Sequence, residues 1–181
     1  MSTKTSLPSI TSSTSPDGCR IIKRPERVWV FGGQFSSDSD ASPSSLRESF
    51  WRQTLSLLPS SKRPWLPNLS RPEDFPDWWA FSGYKDLLAF ERDACHLAQA
   101  TILFAESPGA LAELGAIASE DSLVRHTLVV VEDRYQKEQS FLKLGPLKRV
   151  DDLGGLCIVG DAKNKTLAEE DFQSLIEHLE D

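Results

Sequence analysis

No stretch of this 181-residue chain approaches the ~20 consecutive apolar residues of a membrane span. Its opening residues, MSTKTSLPSITSSTS, hold no apolar block that would serve as a secretory core, so the protein is expected in the cytoplasm with no membrane partner. Cysteine is scarce: Cys19, Cys95 and Cys157 are far apart and odd in number, which excludes a disulfide framework and fits free thiols in a reducing compartment. His96, His126 and His178 are scattered too, so neither a metal site nor a cofactor is expected. Positive charge is in deficit. With 20 Lys and Arg against 27 Asp and Glu, the net charge of −7 argues against nucleic-acid binding through a broadly basic surface.

What is present reads as one α/β domain. Residues 1 to about 18 are rich in Ser, Thr and Pro, and a basic connector with Arg20, Lys23, Arg24 and Arg27 follows. Residues 1–25 are therefore expected to be a disordered tail and connector, with the folded domain over 26–181. Val28 to Phe31 is apolar on both alternating faces and runs into Gly32-Gly33, as a central parallel strand does. Thr101–Ala105, Thr127–Val131 and Leu156–Val159 read the same way. Between them the spacing predicts helices over Leu46–Leu58, with Phe50, Leu55, Leu57 and Leu58 as its apolar side, and over Tyr84–Ala98, Ala110–Glu120, Arg134–Leu144 and Thr166–Leu179. Ser107 is the expected N-cap before Pro108. Residues 59–82, with five prolines among Trp65, Phe75, Trp78, Trp79 and Phe81, are expected to be mostly irregular, with Pro64 to Pro67 brushing an edge strand. Strands alternating with helices predict a doubly wound parallel sheet with helices on both faces. Ligands of such folds lie beyond the carboxyl ends of the strands, which singles out the loops Gly32–Phe35 and Glu106–Gly109.

Among the polar residues Glu113 stands out. Its neighbours Ala110, Ala112, Gly115 and Ala116 are small, and it is expected about one turn into a helix whose positive end favours an ionised carboxylate. A solvated helix-face glutamate would read the same way. Gly32 and Gly33 fit either a phosphate- or sugar-binding loop or ordinary turn chemistry. Phe35 could stack on a base or cover the helix beneath it, and Glu91 or Asp93 could reach the crevice or face water.

Phe-Gly-Gly-Gln-Phe at 31–35 and Glu-Ser-Pro-Gly-Ala-Leu-Ala-Glu-Leu-Gly-Ala-Ile-Ala at 106–118 together resemble the nucleoside 2-deoxyribosyltransferase superfamily. More narrowly they resemble the effector toxins encoded beside retron reverse transcriptases in bacterial anti-phage defence, as does Ser140-Phe with Gly145-Pro-Leu147. The resemblance covers roughly residues 28–150. It implies a flavodoxin-like fold, homo-oligomerisation, and a catalytic glutamate acting on an anomeric carbon, which maps onto Glu113. It also implies substrate contacts at Gly32, Gly33, Phe35, Glu91, Ser107 and Gly109. The superfamily's loop aspartate is replaced by Ser107, and its second acid has two candidates, Glu91 and Asp93.

The expected function is an N-glycosidase-type toxin cleaving NAD or another nucleotide, with a retron reverse transcriptase and its RNA–DNA hybrid as restraining partner. The rival expectation is a non-catalytic nucleotide sensor of the same fold. NAD is favoured over a deoxynucleoside because nicotinamide departs neutral from a cationic pyridinium, and the sequence shows no evident proton donor for other bases, although Glu91, Asp93 or Glu106 could act as one.

Overall fold

A computed structural model describes residues 26–38, 40–57, 63, 65–77, 83–160 and 164–180. The tail and connector expected over 1–25, together with Cys19, Pro64, Trp78, Trp79 and Phe81, lie outside the described residues.

Five parallel strands form one sheet: β1 (Val28–Phe31), β2 (Leu69–Ser70), β3 (Ala100–Phe104), β4 (Thr127–Glu132) and β5 (Leu156–Val159). Their order is β2-β1-β3-β4-β5. The chain thus turns one way after β1 and the other way after β3, leaving a crevice between the carboxyl ends of these two strands. Alternate residues serve opposite faces, as strand geometry requires. Val28, Val30, Ile102 and Phe104 pack with Phe50 of α1 (Leu46–Leu57) and with Phe172, Leu175 and Ile176 of α7 (Glu169–Glu180). Trp29, Phe31, Leu103 and Ala105 pack on the other side with Cys95 of α2 (Leu87–Leu97) and with Leu114 and Ile117 of α3 (Pro108–Ala118). Three short helices complete the set among the described residues: α4 (Asp121–Val124), α5 (Arg134–Lys137) and α6 (Lys148–Asp151). The fold is the expected doubly wound α/β sheet, consistent with a flavodoxin-like arrangement.

Three local expectations are corrected. The edge strand is not at Pro64–Pro67: Leu66–Asn68 forms a 3-10 turn and the two-residue β2 follows it. The helix predicted over Arg134–Leu144 stops at Lys137, and a π turn spans Lys143–Leu147. Pro146, which lacks the N–H needed for a regular turn, lies inside it. In α1, Leu55 and Leu57 face solvent while Arg47, Glu48, Ser49 and Thr54 are buried beside Phe50. This helix buries polar groups because both ends of the β1–α1 loop are tied down by carboxylates.

Candidate active site

Glu106 follows β3 and turns its side chain away from solvent. Its carboxylate accepts the backbone N–H groups of Leu46 (2.7 Å), Arg47 (3.0 Å) and Gly33 (3.1 Å). Glu48 closes the same loop, accepting the N–H groups of Ser36 and Ser44 and the Ser44 hydroxyl. Burial opposes its ionisation, but those donors and Arg52 outweigh it and hold the carboxyl down at about 2. A helix N-terminus at this place in an α/β sheet ordinarily offers its N–H groups to a phosphate. Here the protein's own carboxylates take them.

The loop glycines serve the same packing. Gly32 has φ +145°, and a Cβ there would lie 2.8 Å from the Phe104 Cβ. Gly33 does not have positive φ; a Cβ on it would lie 2.7 Å from the Ser45 Cβ and 2.9 Å from a Glu106 oxygen. Phe35 meets Trp51 edge to face and lies under the guanidinium groups of Arg47 (5.0 Å) and Arg71 (4.8 Å).

Glu113 projects from α3 towards α2. Ser107 caps this helix as expected, its hydroxyl accepting the Ala110 N–H at 3.2 Å, and Pro108 opens it. Glu113 is consequently the sixth residue of α3, beyond the first turn where the helix dipole acts strongly. The helix end does not lower its carboxyl. Burial pushes it above the usual carboxylate range, Arg47 pulls it back and Glu73 adds to the rise. One oxygen, Oε2, is buried without a hydrogen-bond partner.

Two cavities meet at this carboxyl. One of about 370 Å³ lies between α2 and α3, walled by apolar side chains such as Leu88, Ala116 and Ile117 and by Glu120. The other, of about 330 Å³, opens towards Gly32, Arg47, Glu73 and Phe75. Phe31, Glu91 and Glu113 line both. The remaining charged groups of the walls are engaged elsewhere. Asp86 caps α2 through the Ala89 N–H, Glu120 contacts His96 at 3.1 Å, Arg92 pairs with Asp93, and Glu73 pairs with Arg47. Glu91 and Glu113 have no ion-pair partner among the described residues. Burial, with the charges of Glu113 and Glu73, pushes Glu91 up to about 7. Cys95, in the wall behind them, is pushed up to about 12, chiefly by burial, so its thiol is a poor nucleophile at neutral pH.

The sequence-predicted residues therefore separate. Gly32 and Glu91 share the cavity wall with Glu113; Gly33, Phe35, Ser107 and Gly109 are not among the wall residues. A Cβ on Gly109 would meet nothing nearer than the Ser107 hydroxyl at 4.0 Å. Asp93 bonds to Arg92 and Tyr84. Sequence reasoning missed Arg47 and Glu73, whose pairing no local pattern announces, since they lie on different elements.

A parallel sheet with a half-buried carboxyl pair beside its switch in strand direction defines a doubly wound α/β domain with a crevice equipped for acid–base or nucleophilic chemistry. Within that class, the chain belongs to the STM3845 retron effector family, whose model matches residues 43–181. It is also similar to an Escherichia coli protein named "Retron Ec86 putative ribosyltransferase/DNA-binding protein", with 35% identity over 78 residues. That match covers 42% of this chain and 25% of the relative, so it spans about a quarter of the relative's length.

Proposed function

We propose that this retron effector is an N-glycosidase-type toxin of the nucleoside 2-deoxyribosyltransferase-like kind, cleaving the bond between base and sugar in NAD or another nucleotide. The observation that carries the reading is the Glu91–Glu113 pair at the meeting of the two cavities: one carboxyl is pushed up to about 7, and the other keeps a buried oxygen without a partner. Breaking the C–N bond leaves its electron pair on the base nitrogen and positive charge on the sugar. Glu113, ionised, stabilises that charge or bonds to the anomeric carbon until water displaces it. Glu91, half protonated near neutral pH, gives its proton to the departing base, a contribution of about 10²- to 10⁴-fold in such reactions.

This alters the ground for preferring NAD. Nicotinamide needs no proton to leave, and that mattered because the sequence showed no clear donor. Glu91 fills the role, so bases that must be protonated become substrates as well. The words "putative ribosyltransferase" in the name of the Ec86 relative support chemistry at a ribosyl group.

The test is to incubate the purified chain, freed of any partner, with NAD and with a panel of nucleotides, and to measure released bases. Glu113→Gln should abolish release, by about 10³-fold or more, while leaving the thermal midpoint in place. Binding without release in the wild type would favour the sensor reading. Toxicity on expression alone, relieved by a co-purifying reverse transcriptase with its RNA–DNA hybrid, would support the biological role.

A further inference from the structure

We propose that the cavity between α2 and α3 is the subsite for the base, and that Glu120 at its far end selects bases bearing an exocyclic amino or amide N–H. The proposal deepens the reading of Glu91 and Glu113 as the place of C–N cleavage and rests on it.

The cavity follows from helix periodicity. Side chains three, four and seven residues apart share one face of a helix. On α2 that face carries Leu88, Glu91 and Cys95, and on α3 with the turn after it Glu113, Ala116, Ile117 and Glu120. Both faces line the one cavity of about 370 Å³, where Ala89 and Ala116 each contribute only a methyl group and so leave the gap open. Glu120 follows Glu113 by seven residues, about 10 Å along the axis at the rise of a helix. The result is an apolar slot with the carboxyl pair towards one end and a further carboxylate towards the other.

Cleavage at the carboxyl pair places the base on one side and the sugar on the other. The two cavities that meet there differ in kind. The second holds the Arg47–Glu73 ion pair and Gly32, polar surroundings that suit sugar hydroxyls. The slot instead offers apolar walls to the faces of a flat heterocycle. The base therefore enters the slot, Glu91 meets its glycosidic end, and its outer edge points to Glu120.

That outer edge is where bases are told apart. One Glu120 oxygen contacts His96 at 3.1 Å, and a carboxylate keeps further lone pairs for a second donor. The neighbouring polar groups of the wall are engaged: Asp86 accepts the Ala89 N–H, Arg92 pairs with Asp93, and the Ser119 hydroxyl donates to the Ala116 carbonyl. A carboxylate only accepts, so an amino group on the base is matched, and an oxygen in its place is opposed. Adenine and nicotinamide meet this requirement. Hypoxanthine and nicotinate do not.

The experiment measures binding of the free bases to the full chain at neutral pH by protein NMR shifts. Adenine should bind at least about tenfold more tightly than hypoxanthine, and nicotinamide than nicotinate. Ala116→Leu, and Ala89→Leu from the opposite wall, should each weaken adenine at least about tenfold by filling the slot. If one of them fails to fold, the other decides. Gly115→Ala should leave binding unchanged, because a Cβ there meets nothing within 4 Å. Glu120→Gln should bring adenine and hypoxanthine within about threefold of each other, since a side-chain amide both donates and accepts. Absence of adenine binding, equal binding of the two purines by the wild type, or full binding in a folded wall variant overturns the proposal. So does discrimination that survives Glu120→Gln. These measurements need no turnover. A chain that binds adenine in this way and releases no base keeps the subsite and loses the reaction, whereas one that releases bases with Ala116→Leu unaffected loses only the subsite.

Discussion

Glu106 and Leu46 lie sixty residues apart in the chain and meet at 2.7 Å, the carboxylate after β3 capping the first turn of α1. This contact fastens the two loops of the crevice to each other. Glu106 thereby becomes part of the scaffold.

Replacing Glu106 with Ala should cost about 2–4 kcal/mol, since three backbone N–H groups lose their acceptor in a partly buried place. Urea unfolding checks this, with Glu106→Gln recovering part of the loss. A change below about 0.5 kcal/mol would mean that water replaces the cap without penalty.

Gly33→Val should damage the fold before it damages the site. The added side chain meets Ser45 and the Glu106 carboxylate, and overpacking of this kind costs about 1–3 kcal/mol. A variant with wild-type stability but no turnover would instead return the first loop to a ligand-binding role.

Glu91→Gln should stabilise the protein at pH 8 and leave it nearly unchanged at pH 4. The folded carboxyl is raised to about 7 from an ordinary value of 4.5, so the folded state holds a proton that the unfolded chain releases. Stability therefore declines as pH rises from 4.5 through 7, and the loss stays constant above that. Discounted for solvent screening, the gain at pH 8 is on the order of 1–2 kcal/mol. Thermal melts at the two pH values decide it.

Turnover should depend on pH in a way that separates substrates. Release of a base that needs a proton should fall about tenfold per pH unit above about 7, as Glu91 ionises. Release of nicotinamide should lack that limb, and Glu91→Gln should slow the first reaction while sparing the second. Identical profiles for both substrates would remove Glu91 from the chemistry.

Much of this arrangement is legible from the residues alone. Val28–Phe31 and Leu156–Val159 are strands as read, because unbroken apolar runs have few other places in an α/β domain. Ser107-Pro108 starts α3 because capping is a local interaction. The helix through Leu46 was legible as a helix but not in its orientation. Hydrophobic spacing pointed Leu55 and Leu57 inward, whereas tertiary hydrogen bonds to Glu106 and the Arg47–Glu73 pair draw polar residues in. Glu113 could be singled out by its small neighbours, but choosing Glu91 over Asp93 required the rotation of α2. Two residues along a helix turn a side chain to a different face, and only the packing says which face meets the cavity.

Strand β1 belongs to the interior of the sheet, yet Val28 pairs with Ala100 and Phe31 with Leu103. During synthesis the apolar segment Val-Trp-Val-Phe therefore leaves the ribosome long before its main partner exists, with only the two-residue β2 to pair with in the interval. The bond that ties Glu106 to α1, and the helix that carries Glu113, arrive in the same late stretch of chain. Pairings this distant form slowly and reward the chain only once both ends are present. Nascent chains stalled before residue 100 should thus be sensitive to protease around β1, and the crevice should come into being in one step, once the stretch through Ala118 has emerged.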